Sequence, residues 1–515
     1  MPFASSTLAL TVASSCLLQP VTRPLTDLER MAAETLPHPR QVAWQQLEFT
    51  CFVHFGVNTF TGREWGTGEE DPAIFNPTDL DCDQWVTEAK NAGMKLVMLT
   101  AKHHDGFCLF QSNYTEHDVG SSPWKGGKGD VMAELAEACR RHDLKLGFYL
   151  SPADLHAIHA NIYGNQSEPT KSLIPTPVPG VEHEGPHFEY VVDDYNRYFL
   201  NQLYELLTRY GPISEVWFDG ANPRPGTGQT YDYKAWYDLI RKTQPQAVIA
   251  IKGPDVRWCG NEAGQTRAAE WSVIPIGGTS DNWTWPDMTD ADLGSMARIE
   301  ETLAEGGTLH WYPAETDTSI RHGWFWRDEE QHVRPADEMF DVWERSVGGN
   351  TVLLLNVPPD RRGLFADRDV EVLREVGRQV QRTYSRNLAA GSGVTISDTS
   401  TAEGPASLLD ADPSTAWRAP DGVRSAGIVL NLPEKQRFNR VVLQEDIARF
   451  GQRVERYSID VWLGNRWYEV ARGTTVGSRR IVRLPLTEAE RVRVRIIAAR
   501  VSATLSEVGL YRSVE

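Results

Sequence analysis

The chain lacks three features that would each point to a class of protein. It has no excess of positive charge, because 70 acidic residues outweigh 52 basic ones and give a formal net charge of −18. Nucleic-acid binding needs a basic footprint. It has no apolar run of the roughly 18 residues that cross a bilayer. Its six cysteines include no CxxC pair, so neither a zinc pattern nor a dense disulfide framework is indicated.

The N-terminus leaves the location of the protein open. Residues 8–18 are apolar or small, like the central region of a signal peptide, yet no Lys or Arg precedes Arg23. A signal peptide normally starts with a charged region. Secretion, a periplasmic location and a cytoplasmic location all stay open, and we treat residues 1–35 as an N-terminal segment with a candidate signal.

The length and the alternation of patterns predict two domains. At 515 residues the chain exceeds one hydrophobic core, since domains usually span about 100–200 residues. Strand-like and helix-like patterns alternate over most of the chain, with strand candidates at residues 49–55, 94–100, 144–150, 213–219, 247–251, 271–276, 309–312 and 351–357. Eight such β-α units predict an irregular (β/α)8 TIM barrel of the α/β class over residues 36–386.

The C-terminal region follows another pattern. Beyond residue 387 helical periodicity disappears, and short β-rich runs are separated by turn residues. Runs of this kind are typical of antiparallel sandwiches. We therefore predict an antiparallel β-sandwich over residues 387–515.

Polar residues follow the predicted barrel strands where these end. His54 ends the first strand, His103 and His104 follow the second, Tyr149 lies in the third, Asp219 ends the fourth and Glu262 follows the fifth. The ends of barrel strands converge on one pocket. This register favours a catalytic pocket, although an Asp at such a place also caps turns.

Two carboxylates in an aromatic-rich chain suggest glycoside hydrolysis. Asp219 closes the buried run Val216-Trp217-Phe218, where a carboxylate stays open to a ligand beside low-dielectric walls. The Gly-flanked loop of Glu262 ranks it first as the second carboxyl, whereas Glu270 has the position of a salt-bridge partner of Arg267. The other candidates are Glu64 and Glu315.

The adjacent histidines raise a metal alternative. On an extended segment His103 and His104 would point in opposite directions, and catalytic zinc usually takes three ligands. We therefore expect the two imidazoles to bind sugar hydroxyls, with satisfied core histidines as the alternative.

Five motifs occur in order along the barrel region. They are Phe52-Val53-His54-Phe55-Gly56, Glu64-Trp65, Lys102-His103-His104-Asp105-Gly106-Phe107, Trp217-Phe218-Asp219-Gly220 and Leu353-Leu354-Leu355-Asn356-Val357-Pro358-Pro359. As an ordered set they resemble the α-L-fucosidases of glycoside hydrolase family 29, whose fold is an irregular (β/α)8 barrel.

The resemblance implies a retaining exo-glycosidase that removes terminal α-L-fucose from fucosylated oligosaccharides or glycoconjugates and needs no cofactor for catalysis. It implies Asp219 as the nucleophile, which forms a covalent fucosyl-enzyme. It also implies a fucose-binding set made of His54, Glu64, Trp65, His103, His104, Tyr149 and Trp217.

A further string resembles one subgroup of that family. Trp258-Cys259-Gly260-Asn261-Glu262-Ala263-Gly264, with Glu270-Trp271-Ser272-Val273 after it, is similar to members that prefer α-1,3/1,4-linked fucose on Lewis-type branched glycans. This implies Glu262 as the acid/base, with Glu270 as runner-up, and an aglycone side shaped by Trp311, Glu315, Arg321 and Trp324. The alternatives are a non-catalytic fucose-binding protein on the same barrel and another retaining glycosidase.

The tail resembles a discoidin-like module of the factor 5/8 C type. The motifs are Leu409-Asp410-Ala411-Asp412-Pro413-Ser414-Thr415-Ala416-Trp417, Gly451-Gln452-Arg453-Val454 and Ser506-Glu507-Val508-Gly509-Leu510-Tyr511. The resemblance implies glycan binding or bracing of the barrel. It also implies a structural calcium near Asp410 and Asp412, whose oxygens suit that ion, with a plain Asp-rich turn as the alternative.

Overall fold

A computed structural model describes residues 11–12, 24–183, 185–224, 226, 228–277, 289–397 and 404–513. The candidate signal segment, residues 8–18, lies outside this range except for Thr11 and Val12. Across the described ranges, every helix is too short or too polar to cross a membrane.

The helices are mostly amphipathic segments that begin at a capping side chain. In the described part of the chain they are α1 (Asp27–Glu34), α2 (Pro39–Gln45), α3 (Val57–Thr61), α4 (Cys82–Asn91), α5 (Val131–His142), α6 (Leu155–His159), α7 (Asp194–Arg209), α8 (Tyr233–Thr243), α9 (Met296–Ala304), α10 (Ala336–Val347), α11 (Asp367–Tyr384) and α12 (Ile447–Phe450). Short 3-10 turns lie at Pro72–Ile74, Val119–Ser121, Trp124–Gly127 and Pro405–Leu409.

The strands fall into a parallel and an antiparallel group. They are β1 (Thr11–Val12), β2 (Phe49–Val53), β3 (Leu96–Lys102), β4 (Lys145–Leu150), β5 (Thr170–Ile174), β6 (Phe188–Val192), β7 (Glu215–Phe218), β8 (Val248–Ile251), β9 (Arg257–Trp258), β10 (Val273–Ile276), β11 (Thr308–Trp311), β12 (Ala314–Ser319), β13 (Thr351–Asn356), β14 (Gly393–Ile396), β15 (Trp417–Arg418), β16 (Ala426–Gln444), β17 (Val454–Leu463), β18 (Arg466–Gly473), β19 (Arg480–Ala499), β20 (Thr504–Leu505) and β21 (Glu507–Tyr511).

Eight parallel strands form a nearly closed barrel, which confirms the predicted fold class. Their order is β8-β7-β4-β3-β2-β13-β12-β9, and a bridge between Ala250 and Val256 brings the two end strands together. Large side chains such as Phe52, Tyr149 and Trp217 fill the interior. The carboxyl ends of all eight strands therefore open on one face.

Two of the eight predicted barrel strands are wrong. The candidates at residues 271–276 and 309–312 correspond to β10 and β11, which pair with each other antiparallel as a separate sheet. Their barrel places are taken by the two-residue β9 and by β12. The β12 sequence, Ala-Glu-Thr-Asp-Thr-Ser, is polar yet fully buried, because its side chains are bonded by neighbouring indole and hydroxyl groups. A search for apolar runs misses such a strand.

The C-terminal region forms the predicted antiparallel domain. The strand order is β1-β18-β17-β19-β16-β14, β21 pairs with β16, and β15 pairs with β20. Trp417, Phe438 and Tyr457 belong to its buried core. Most of the C-terminal β structure lies in four long strands, β16 to β19.

Polar contacts bind this domain to the barrel. Arg440 donates to Glu344 of α10 through two nitrogens at 2.7 and 3.0 Å. Gln452 donates to the Glu270 carbonyl at 3.1 Å and accepts from the Ser272 amide at 2.6 Å. The antiparallel domain therefore supports the segment that follows β9.

Candidate active site

Asp219 lies directly after β7, at the carboxyl end of the barrel. Its Oδ1 accepts from the Ala221 amide at 2.7 Å, which caps the turn. Its Oδ2 accepts from the Tyr149 hydroxyl at 3.1 Å and lies 3.8 Å from His104 Nε2. The side chain is 28% exposed. One carboxylate oxygen thus orders the turn while the side chain stays accessible to a ligand.

Three imidazoles line the same end of the barrel. His54 Nδ1 shares a hydrogen bond of 2.8 Å with Asn356 Oδ1, and His104 Nδ1 shares one of 2.7 Å with Ser151 Oγ. The His103 ring lies 5.5 Å from the His54 ring, centre to centre. Hydrogen bonds fix the rings of His54 and His104, and stacking on Tyr149 places that of His103.

The predicted opposite orientation of His103 and His104 is wrong, because their ring centres are 4.1 Å apart. The segment turns after β3 instead of staying extended. Gly106 makes this turn at φ 86°, and a Cβ there would lie 2.5 Å from Asp154 Oδ1. A larger residue would therefore displace the segment that carries both histidines.

Burial keeps the imidazoles neutral near pH 7. Burial lowers the pKa of His54 to about 3, against an opposing contribution from its bond to Asn356. Burial also lowers the pKa of His103 and His104, and the nearby Asp219 opposes it at His104. Neutral imidazoles can both donate to and accept from sugar hydroxyls.

Glu262 lies in the loop after β9 and meets Trp324 from the loop after β12. Trp324 Nε1 donates to Glu262 Oε2 at 3.2 Å. Glu262 is on an exposed loop, yet partial desolvation of its carboxyl raises the pKa, the indole bond opposes the rise, and the charges of Asp219 and Glu64 add to it. A raised pKa suits a carboxyl that must begin a reaction protonated.

Glu270 occupies a different environment. Its carboxylate bonds Arg257 at 2.8 Å and Arg267 at 3.1 Å, and its side chain is 1% exposed. Although burial opposes it, the pKa of Glu270 is lowered, since both guanidinium groups favour the charged form. The expected Arg267 ion pair is therefore present, and a buried, ionised carboxylate is unsuited to donating a proton.

Aromatic rings form two sides of the pocket. Trp65 is 44% exposed and packs on His104 with ring centres 4.1 Å apart. Trp217 is buried and stacks on Tyr149 at 5.2 Å. At the rim, Glu64 accepts from the Trp324 amide at 3.0 Å and from Arg327 at 2.6 Å.

Two residues predicted on the aglycone side do not face the pocket. Trp311 is buried in a separate cluster with Val273 and Ile299, because β11 leaves the barrel. Arg321 is buried and bonds both oxygens of Asp369 at 3.0 and 2.9 Å. It anchors the loop after β12 to helix α11.

Glu315, which was also predicted on the aglycone side, does not lie there either. It lies inside the barrel, where its Oε1 accepts from Trp217 Nε1 at 2.7 Å. Glu215 accepts from Trp44 Nε1 at 2.9 Å. Burial and the adjacent Glu215 carboxyl raise the Glu315 pKa. A neutral Glu315 thus supports Trp217 from behind.

Three further residues, for which the sequence predicted no role, shape the pocket. Asn356 orients His54, Ser151 orients His104, and Phe325 packs against His54 with ring centres 5.4 Å apart. Asn356 stands inside a quoted motif, as the last residue of β13. Its strand-end position was the available signal for a functional role.

Acidic turn residues in the antiparallel domain make local bonds. Asp410 accepts from the Asp412 amide at 2.9 Å and from the Thr415 hydroxyl at 2.8 Å. Asp412 accepts from the amide and the hydroxyl of Ser414. Within the described ranges, three or more His, Cys, Asp or Glu side chains nowhere converge in a way that could hold a metal ion.

Comparison with known proteins gives concordant matches. A family model described as alpha-L-fucosidase matches residues 69–383, which is more than half of the chain. A second model, described as F5/8 type C domain, matches residues 392–509. The resemblance of the barrel region to the α-L-fucosidase family and that of the tail to the factor 5/8 C type module are thereby confirmed.

Individual relatives agree with these models. Alpha-L-fucosidase 1 of Arabidopsis thaliana is 37% identical over 97% of this chain and 90% of its own length. The plasma alpha-L-fucosidase of Rattus norvegicus is 26% identical over 54% of this chain and 64% of its own. A solved structure of a Ruminococcus gnavus GH29 fucosidase in complex with fucose is 28% identical, with a TM-score of 0.77 over 97% of this chain and 98% of that one.

Proposed function

The chain belongs to the α-L-fucosidase family of glycoside hydrolases, and from this premise we propose that it releases terminal α-L-fucose with retention, by double displacement at Asp219. The observation that carries the proposal is an accessible carboxylate at a barrel strand end, held by Tyr149 and flanked by His104. The substrates are fucosylated oligosaccharides or glycoconjugates.

In the first step the Asp219 carboxylate attacks the anomeric carbon, and the bond to the leaving oxygen breaks. Glu262 gives its proton to that oxygen, so the aglycone leaves as an alcohol. In the second step Glu262 takes a proton from water, the water oxygen attacks the anomeric carbon, and Asp219 is released. The raised Glu262 pKa supports the order of these two roles.

The neighbouring side chains would bind the sugar. His54, His103 and His104 are neutral donors and acceptors for hydroxyl groups. Trp65 and the Tyr149–Trp217 stack supply apolar faces for the carbon side of the ring. Glu64 and Trp324 stand at the rim, where they would contact the sugar and the aglycone.

We place the acid/base role on Glu262 and not on Glu270. Glu262 lies on an exposed Gly-flanked loop, and the Asp219 charge acts on its pKa. Glu270 is enclosed between two arginines. A carboxyl without access to the leaving oxygen cannot protonate it.

Replacing Asp219 tests the reaction type. Asp219→Ala should lose turnover on a fucosylated trisaccharide while calorimetry still detects binding of free fucose. Loss of turnover with fucose bound separates an enzyme from a non-catalytic fucose-binding protein. Hydrolysis at the wild-type rate would refute the assignment of the nucleophile.

We further propose a preference for α-1,3/1,4-linked fucose on Lewis-type glycans, supported by the string around Glu262. Initial rates on Lewis a, Lewis x and 2′-fucosylated substrates test it. Higher kcat/KM on the two branched Lewis sugars is expected. Preference for the 2′-linked sugar would contradict the linkage assignment, and activity on other glycosides alone would favour a different retaining glycosidase.

Two structural proposals accompany this function. We propose domains at residues 36–386 and 387–515, after the N-terminal segment 1–35, supported by the change from α/β to antiparallel structure. The calcium near Asp410 and Asp412 stays a prediction. If calcium binds there, adding calcium after chelation should raise the melting temperature. If these residues only order a turn, the melting temperature should stay unchanged.

A further inference from the structure

Trp324 is the residue through which three loops of the candidate site meet. Its indole Nε1 bonds Glu262 at 3.2 Å, and its ring lies over His54 with centres 5.0 Å apart. Its amide donates to Glu64 at 3.0 Å, and its carbonyl accepts from Asn356 Nδ2 at 2.8 Å. Both the backbone and the ring are therefore fixed independently of the bond to Glu262.

The loop of Glu262 is anchored at its backbone. Asn261 Oδ1 accepts from the Ala263 and Gln265 amides at 3.1 and 3.2 Å, and the Gly264 amide donates to the Asp317 carbonyl at 3.2 Å. The side chain has a single anchor: among the described residues, Trp324 supplies the one hydrogen bond to the Glu262 carboxylate. Loss of that bond would free the carboxyl without unfolding the loop.

Among the described residues, the charges that act on the Glu262 pKa are both acidic. Asp219 and Glu64 disfavour a second negative charge, and Arg327 pairs with Glu64 at 2.6 Å. The buried Asp317 lies near Glu262, and burial raises its pKa. Trp324 therefore provides the stabilising contact of the carboxylate, because an indole N–H only donates.

We propose that Trp324 is the positioning residue of the acid/base: its N–H holds Oε2 of Glu262, so that Oε1 carries the proton exchanged with the leaving group and with water. This inference rests on the proposed function of Glu262. It gives Trp324 a role in proton transfer beyond lining the aglycone side. The proton passes from Oε1 to the leaving oxygen in the first step and returns from water to Oε1 in the second.

The test is the pH dependence of kcat/KM for Trp324→Phe on a fucosylated oligosaccharide. Phenylalanine keeps a ring over His54 and removes the N–H. The alkaline limb reports the pKa of the acid in the free enzyme. Since a hydrogen bond to a carboxylate favours the ionised form, its loss should move the limb upward by about half a unit to one unit.

A second readout comes from the leaving group. Departure of an activated aryl group needs little protonation, whereas departure of a sugar alcohol needs it fully. In single-turnover experiments, which isolate the first step, Trp324→Phe should therefore slow that step about tenfold more on the oligosaccharide than on an aryl α-L-fucoside. A role confined to the aglycone side would raise KM for the oligosaccharide and leave the pH limb in place.

Trp326→Phe is the matched control. Trp326 lies in the same loop and is buried, and its Nε1 has no partner among the described residues. Its limb should stay at the wild-type position. An unmoved limb in Trp324→Phe, or an equal shift in both variants, would overturn the inference.

Glu262→Gln distinguishes this failure from failure of the proposed function. If that variant keeps oligosaccharide turnover and the alkaline limb, Glu262 is not the acid/base and the proposed function fails. If that variant loses them while Trp324→Phe leaves the limb in place, only the positioning role fails.

Discussion

Changing Glu262 or Glu270 to glutamine should have opposite effects on stability and on turnover. Glu270→Gln removes the charge that Arg257 and Arg267 face, at 2.8 and 3.1 Å. Both Glu270 and Arg257 have almost fully buried side chains. Breaking a buried pair from one side costs about 3–5 kcal/mol, and the amide can return only part of the lost bonding. We expect a loss of about 3 kcal/mol in the free energy of unfolding.

Glu262→Gln should behave in the reverse way. Its side chain is exposed and accepts a single indole bond among the described residues, so the free energy of unfolding should change by less than about 0.5 kcal/mol. Loss of general acid–base catalysis should lower kcat on an oligosaccharide by about 10²–10⁴-fold.

Urea unfolding and single-turnover kinetics of both variants, at a temperature where each is folded, separate the two residues. Glu270→Gln should keep kcat within about threefold of the wild type, because it changes no group that contacts the substrate. A Glu270→Gln variant with full stability and kcat as low as that of Glu262→Gln would refute the assignment.

Three further outcomes follow from buried contacts. Trp311→Ala should cost about 3–5 kcal/mol of stability and leave the linkage preference unchanged, because Trp311 lies in a separate buried cluster; a changed preference would return it to the aglycone side. Arg440→Ala should destabilise by about 1.5–3 kcal/mol in thermal unfolding, the range for a lost hydrogen bond to a charged group, because Arg483 and Tyr384 still contact the buried Glu344; a change below about 1 kcal/mol would show that this pair adds little. The pKa of His54 is lowered to about 3 in the folded protein, so below pH 6.5 this imidazole takes up a proton in the unfolded chain but stays neutral in the folded one. Burying the neutral His54 should therefore lower the free energy of unfolding by about 2 kcal/mol at pH 5.0 relative to pH 7.5. Urea unfolding at the two pH values should show a smaller difference for His54→Asn than for the wild type.

Six of the eight barrel strands could be predicted because they are continuous apolar runs. β2, β3, β4, β7, β8 and β13 all lie within or next to the predicted runs. β9 was missed because it has two residues, and β12 because its buried side chains are polar and bonded by groups distant in sequence. Asp317 and Glu315 each accept a hydrogen bond from an indole that is distant in sequence. A single sequence does not show which tryptophan lies beside which carboxyl.

The residues of the candidate site at strand ends could be predicted, whereas those that depend on loops or on misassigned strands could not. His54, Tyr149 and Asp219 lie at or next to strand ends, so topology alone brings them to one face. The aglycone-side prediction was wrong for Trp311 because this residue ends β11, which lies outside the barrel. It was wrong for Arg321 because that side chain forms a buried ion pair with Asp369. The contact between Trp324 and Glu262 joins two loops whose courses no periodicity describes.

Double displacement requires Asp219 to become covalently bonded to fucose during turnover. The most direct measurement is mass spectrometry of the peptides after reaction with a 2-deoxy-2-fluoro-fucosyl fluoride, which slows release of the intermediate. The mechanism predicts one fluorofucosyl adduct on Asp219, absent from Asp219→Ala. An adduct on another carboxylate, or product of inverted configuration with no adduct, would contradict it.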